Sequence, residues 1–128
     1  MKKVAAILVV VLLLFSLSGC DNTYHFDYDE LKETVQKIEI IDYDALTKEE
    51  RLLTVISESE QDQFLKDLSQ IEFYHAFGDP DTPKGYSIKL IYNNYDYEII
   101  TWSGTTKNRF LNCDNKLFEE MLSKYYPN

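Results

Sequence analysis

Hydrophobic and polar residues follow two different periods along this chain, and together they predict a mixed α+β domain. In residues 35–43, Ile38 and Ile40 alternate with charged residues, which predicts a β-strand. Residues 51–57 are apolar on both faces of an extended chain, which is typical of an inner strand. Residues 72–77 return to a period of two and predict a third strand.

Two segments have the period of amphipathic helices. The first begins at Ser59, whose hydroxyl can cap the first turn, and the second follows Asp114, which can do the same. Their apolar stripes comprise Phe64, Leu65, Leu68 and Ile71 in the first helix and Leu117, Phe118, Met121, Leu122 and Tyr125 in the second. The segment 29–33 has helix-forming residues and predicts a further turn or two of helix.

The best-specified pattern is a β-hairpin formed by residues 86–92 and 95–102. Asn93-Asn94 lies between the two strands, and because asparagine tolerates positive φ it suits a two-residue turn. The register that this turn predicts pairs apolar residues with each other and opposite charges with each other. It places Ile88 opposite Ile99, Leu90 opposite Tyr97, Tyr92 opposite Tyr95 and Lys89 opposite Glu98.

The remaining segments are a Pro- and Gly-containing loop at 78–85, a turn at 103–106 and a return strand at 107–113. Strands joined by short turns predict one antiparallel sheet of about six strands, with both helices packed on one face. The expected fold class is therefore α+β, as a single domain at 29–128.

The first twenty residues have a different character. Lys2 and Lys3 precede twelve uncharged, mostly aliphatic residues at 4–15, a run shorter than the roughly 20 residues that a spanning helix needs. A positive start, a short apolar region and small residues before a boundary predict a secretory signal peptide. The alternative, an uncleaved N-terminal anchor, is disfavoured by the length of the run.

The boundary itself is Leu17-Ser18-Gly19-Cys20, which resembles the lipobox of bacterial lipoprotein precursors. The resemblance implies that Cys20 receives a diacylglyceryl thioether and becomes the mature N-terminus after removal of residues 1–19. It also implies residence on the outer face of the cytoplasmic membrane, since acyl chains on Cys20 supply stable anchoring. Residues 20–28 are then the lipidated cysteine and a short tether. Beyond the lipobox the chain is only loosely similar to small Gram-positive lipoproteins.

Charge limits the partners that the protein can have. The whole chain has a formal net charge of −9, and removal of Lys2 and Lys3 would leave 11 basic against 22 acidic residues, or −11. Such a surface repels phosphate backbones, so a nucleic-acid partner is not expected. A charged partner should be cationic, although many acidic surfaces serve only solubility.

The sequence contains no recognisable catalytic or metal-binding motif. Cys113 is more simply read as a buried small hydrophobe than as a nucleophile paired with His75. His25, in the tether, is expected to be solvated. Asp79 and Asp81 could ligate Ca²⁺, but they lie beside prolines without an EF-hand pattern, so turn chemistry is the favoured explanation. We therefore predict no catalytic residues, no metal site and no cofactor other than the lipid on Cys20.

The predicted hairpin register leaves Ile91, Ile100 and Trp102 on the sheet face opposite the helices. An open face with these residues would be a binding patch, unless another segment covers it. The sequence thus favours a lipid-anchored, non-catalytic binding or accessory module for another component of the cell envelope. The alternatives are a small envelope enzyme with an unrecognised active site and an inhibitor or immunity-type protein with an acidic surface.

Overall fold

The computed structural model of the protein describes residues 23–76, 78 and 81–127. In these residues the chain forms three helices and eight strands. The helices are α1 (Tyr28–Thr34), α2 (Glu58–Gln70) and α3 (Asn115–Ser123). The strands are β1 (Thr23–Tyr24), β2 (Val35–Asp44), β3 (Glu50–Val55), β4 (Phe73–His75), β5 (Lys84–Tyr92), β6 (Tyr97–Thr101), β7 (Gly104–Thr105) and β8 (Leu111–Asn112).

The strands form two antiparallel sheets, one of five strands in the order β3-β2-β5-β6-β7 and one of three in the order β1-β4-β8. The α+β class is confirmed, whereas a single sheet with two helices is not what forms. Gly104 turns the chain directly after β6 with a φ of +127°, and a Cβ there would lie 2.8 Å from the Arg109 carbonyl oxygen. Of the predicted 107–113 strand, only Leu111–Asn112 is a strand, and it pairs with β4 of the smaller sheet.

One face of the five-stranded sheet forms the main core together with all three helices. The sheet contributes Ile38, Ile40, Ile88, Leu90 and Ile100, and the helices contribute Leu31, Phe64, Leu65, Leu68, Phe118, Met121 and Leu122. Burying side chains of this size contributes roughly 1.5–3 kcal/mol each. Most of the predicted stripe residues are therefore confirmed as core. Leu117 is exposed, and Tyr125 lies beyond the end of α3 and is only partly buried against the core.

The helix ends follow the expected capping chemistry only in part. Asp114 caps α3 as predicted, accepting hydrogen bonds from the backbone N–H groups of Lys116 and Leu117 at 2.9 and 3.2 Å. Helix α2 begins earlier than predicted, at Glu58, with Ser57 in the N-cap position.

Strand β3 was expected to lie inside the sheet and instead lies at its edge. Both sides of β2 are already used, one by β3 and the other by β5, which is more than forty residues away in sequence. Leu52 of β3 is consequently 55% exposed. Apolar residues on both faces therefore did not indicate an inner strand here, and Val55 of β3 is also 43% exposed.

The β5–β6 hairpin forms at the expected place, but its register is one residue away from the prediction. Ile88 lies opposite Ile100, Lys89 opposite Ile99, Leu90 opposite Glu98 and Ile91 opposite Tyr97. A one-residue shift exchanges the two faces of a strand. The predicted Lys89–Glu98 pair is thus wrong, and the Lys89 ammonium lies 2.7 Å from a Glu50 carboxylate oxygen instead.

The shift arises from a four-residue connection, 93–96, where a two-residue turn was expected. The Tyr92 N–H donates to the Asp96 carbonyl at 2.8 Å, and Tyr95 has a φ of +68°. The Asn94 side chain accepts a hydrogen bond from the Asp96 N–H at 3.0 Å. Side-chain and backbone hydrogen bonds inside the turn therefore stabilise the longer loop.

Residues 23–26, expected to belong to a tether, are part of the folded domain. Thr23 and Tyr24 pair with Tyr74 and Phe73 of β4, and Phe26 is buried in the main core. The large apolar surface of Phe26 favours its packing into the core. The tether interpretation did not take this into account.

Candidate functional site

The residues predicted to form a binding patch do not share one face. Ile100 has no exposed surface and packs in the main core with the helices. Trp102 is half-buried against the same core, and Ile91 lies on the opposite face of the sheet with Tyr97. The cause is the register shift, which moves Ile100 inward and brings Ile99 and Tyr97 outward.

An open sheet face does exist, and it carries a groove of about 550 Å³. We call it the sheet groove. Its floor contains Tyr43, Tyr97 and Ile99, and its rim carries charges of both signs on Lys48, Glu50, Asp81 and Arg109. Beneath it, Ile41, Tyr43 and Ile99 form a small second core.

Several polar side chains of the sheet groove are already engaged within the protein. The Thr101 hydroxyl donates to the Gly104 carbonyl at 2.7 Å, and the Thr106 hydroxyl accepts from the Ile99 N–H at 3.0 Å. The Lys89 ammonium, on the same face, lies 4.6 Å from the centre of the Tyr97 ring. The mixed rim charges give this groove no strong preference for a cation or an anion.

Cys113 and His75, considered as a nucleophile and its base, lie in different environments. Cys113 is 2% exposed, and burial raises the pKa of its thiol to about 12, with a smaller contribution from Asp114. A thiol in that environment is a poor nucleophile near neutral pH. His75 is exposed on β4, opposite Leu111. The reading of Cys113 as a buried small hydrophobe is confirmed.

The other candidate site residues either lie apart from one another or fall outside the described residues. Cys20 and Asp79 lie outside them. Asp81 accepts a long hydrogen bond, 3.5 Å, from the Ser103 hydroxyl, and His25 is exposed with Nδ1 3.2 Å from the Ser69 carbonyl oxygen. Within residues 23–76, 78 and 81–127, no group of three or more His, Cys, Asp or Glu side chains is arranged to hold a metal ion.

A second groove, of about 490 Å³, lies between helix α1, strand β1 and the hairpin connection. We call it the N-terminal groove. Asn93 fixes its shape, because its N–H donates to the Thr34 carbonyl and its side-chain amide donates to the Glu33 carbonyl, both at 2.8 Å. The groove is lined by Tyr24, Phe26, Asp27, Glu30, Leu31, Thr34, Tyr92, Asn93, Asn94, Asp96, Glu98 and Lys107.

Aromatic rings hold one wall of the N-terminal groove against the core. The Tyr24 and Phe26 rings meet edge to face with centroids 5.3 Å apart, and Phe26 meets Phe73 in the same way at 5.3 Å. Edge-to-face pairs of this kind add to the stability gained from burial. These contacts connect Tyr24, which lines the groove, through Phe26 to Phe73 of the main core.

Glu98 is the chemically unusual residue of the N-terminal groove. It is 7% exposed, and its Oε1 accepts a hydrogen bond from the Tyr92 hydroxyl at 2.9 Å. None of the ion pairs among the described residues includes Glu98. The pKa of Tyr92 and that of Tyr24 are raised above the ordinary tyrosine value. Burial is the largest cause, and the negative charge of Glu98 is the second.

Lys107 supplies the positive charge of the N-terminal groove. Its ammonium lies 2.9 Å from an Asp96 carboxylate oxygen and 4.7 Å from the centre of the Tyr92 ring. The hydrogen bond from Lys107 is the main reason that the pKa of Asp96 is lowered. The groove is lined by this one cation and by four carboxylates, those of Asp27, Glu30, Asp96 and Glu98. The groove thus combines a net negative charge with aromatic faces.

Sequence reasoning missed this groove for identifiable reasons. Tyr24 and Phe26 were assigned to the tether, and Glu98 was placed on the outer face beside Lys89. The available signal was Phe26, a large apolar residue in a segment that was otherwise polar. A third groove, of about 600 Å³ beside Trp102 and α3, is lined by Lys84, Lys116, Glu119 and Glu120, two charges of each sign.

Comparison of the chain with protein-family models, with curated proteins and with solved structures gave no match. In the part of the chain that the structure describes, no helix is both long and apolar enough to cross a membrane.

Proposed function

We propose that the protein is a lipid-anchored, non-catalytic binding module on the outer face of the cytoplasmic membrane, and that it acts on another component of the cell envelope. The lipobox residues Leu17-Ser18-Gly19-Cys20 support the anchor. The N-terminal groove supports a binding role, because its combination of apolar walls and a few polar groups is typical of ligand sites.

The position of the groove in the chain is the observation that carries this proposal. Tyr24, which lines the groove, is four residues from Cys20. Four residues span at most about 14 Å when fully extended. An anchor at Cys20 would therefore keep the N-terminal groove within a short distance of the lipid headgroups, where it could meet membrane-bound partners.

The anchor is tested with Cys20→Ala in the full chain. Wild type should incorporate labelled fatty acid and fractionate with membranes, whereas the variant should lose the label and accumulate as uncleaved precursor. Gly19→Ala is a matched control, since a small residue remains next to Cys20 and processing should continue. Labelling of the Cys20→Ala chain at the wild-type level would refute the proposal.

A further inference from the structure

We infer that the N-terminal groove is a binding site for the primary ammonium group of a lysine side chain from a partner protein. This inference rests on the proposed function, and it adds the chemistry of the ligand.

Two independent features of the groove lead to this ligand. Glu98 is more than nine-tenths buried and has no cationic partner among the described residues. A buried carboxylate is costly without a partner of opposite charge. A cation entering the groove would supply that partner, while the hydrogen bond from Tyr92 keeps the carboxylate oriented.

The groove already holds one ammonium group of the protein itself. Lys107 lies over the Tyr92 ring and against Asp96, so an aromatic face and a carboxylate act together on a single ammonium. Such a combination is the usual way in which proteins bind alkylammonium groups. The site of Lys107 thus indicates that the ligand is an ammonium group. Lys107 itself would compete with that ligand.

The size and charge of the groove favour a lysine-bearing protein over a small free amine. Four carboxylates line the groove: Asp27 at the N-cap of α1, Glu30 in α1, Asp96 in the hairpin connection and Glu98 in β6. At about 490 Å³, the groove is larger than one alkylammonium group needs. Neighbouring residues of a basic segment can therefore contact it at the same time, which raises affinity over that of a single amine.

The experiment uses the full chain, purified from whole cells in a neutral detergent and titrated calorimetrically with the peptide Lys-Lys-Lys amide. Wild type should bind it saturably, at a ratio of one to one. Glu98→Gln keeps the size of the side chain and its acceptor for Tyr92, and it should weaken binding by about tenfold or more. Glu119→Gln makes the same charge change at the third groove and should alter affinity by less than about twofold.

Removal of the internal competitor gives a second measurement that does not depend on Glu98. Lys107→Met should tighten binding of the peptide by about threefold or more, because Tyr92 and Asp96 are then free for the ligand. Lys124→Met removes a lysine that is also paired with an aspartate, Asp67, outside the groove. This control should change the affinity much less.

Three outcomes of the peptide titrations would overturn the inference. They are absence of saturable binding, equal effects of Glu98→Gln and Glu119→Gln, and equal effects of Lys107→Met and Lys124→Met; the last two would mean that net charge alone attracts the peptide. Binding of cadaverine as tight as that of the peptide would refute a protein partner. Fatty-acid labelling of the same preparations reports on the anchor separately, so failure of the groove and failure of the anchor are distinguishable.

Discussion

The Tyr92 hydroxyl donates a hydrogen bond of 2.9 Å to Oε1 of Glu98 across the β5–β6 hairpin. The bond exists because Glu98 faces inward, opposite Leu90. It gives a buried carboxylate a donor at the edge of the N-terminal groove, so it contributes both to the fold and to the candidate site.

Tyr92→Phe should lower the free energy of unfolding by roughly 1–2 kcal/mol, because it removes a hydrogen bond to a charged group that is buried. Tyr92 itself is only partly buried, which places the effect at the low end of the range for such bonds. Tyr95→Phe is the matched control, since Tyr95 is 80% exposed in the adjoining turn and its change should stay within about 0.5 kcal/mol. Urea denaturation of both variants measures the difference, and equal stabilities would contradict the role assigned to Tyr92.

Alkaline pH should destabilise the protein through four tyrosines whose pKa the fold raises. Burial raises the pKa of Tyr24, Tyr43, Tyr92 and Tyr125, so the fold favours their neutral forms. Their contribution to stability is complete below the unfolded value of about 10 and is lost as pH rises above it. Ultraviolet titration of the ten tyrosines should show an early phase and a late one that coincides with unfolding. A single phase near pH 10, with the fold intact, would refute this prediction.

Ile100→Ala should cost about 2–5 kcal/mol of stability, as expected for a large-to-small change in a core. Ile100 has no exposed surface and lies opposite Ile88. Leu117→Ala provides the comparison, because Leu117 is 56% exposed on α3 and should cost far less. Thermal or chemical denaturation of the two variants measures the difference in stability. A small loss at Ile100 would support the outward-facing register instead.

The Cys113 thiol should be nearly inert in the folded protein. With its pKa raised from 9.0 to about 12, the thiolate fraction near neutral pH falls by about a thousandfold. The measurement is the rate of iodoacetamide labelling in a Cys20→Ala chain, where Cys113 is the remaining thiol. Labelling should be slow in buffer and fast in denaturant. Comparable rates in the two conditions would show that the thiol is accessible.

Trp102 fluorescence should report a protected indole. Trp102 packs against the main core and is the one tryptophan of the chain, so the emission spectrum can be assigned to it. Native emission should be blue-shifted relative to the denatured protein, and acrylamide should quench it less. Equal quenching in the two states would place Trp102 on an open surface, as the hairpin register predicted from the sequence implies.

Local patterns in the sequence were sufficient to predict both long helices and most of the longer strands of this fold, but not β1 or β7. The alternation around Ile38 and Ile40 predicted β2, and the stripe that includes Phe64 and Leu68 predicted α2, because these signals depend only on residues close together along the chain. The cap at Asp114 and the α+β class follow from equally local chemistry. The lipobox at Cys20 is likewise a property of consecutive residues, and the anchor that it implies stays a prediction.

Tertiary structure decided the relationships on which the candidate site depends. A two-residue turn and a four-residue connection both suited the sequence around Asn93. The two hairpins differ by one residue in register, and this difference determined whether Glu98 or Ile99 faced the main core. Pairing of β1 with β4 joins residues about fifty positions apart, which no local period encodes. The N-terminal groove exists because these long-range pairings bring Tyr24, Glu98 and Lys107 together, and their free energies depend on the whole packed domain.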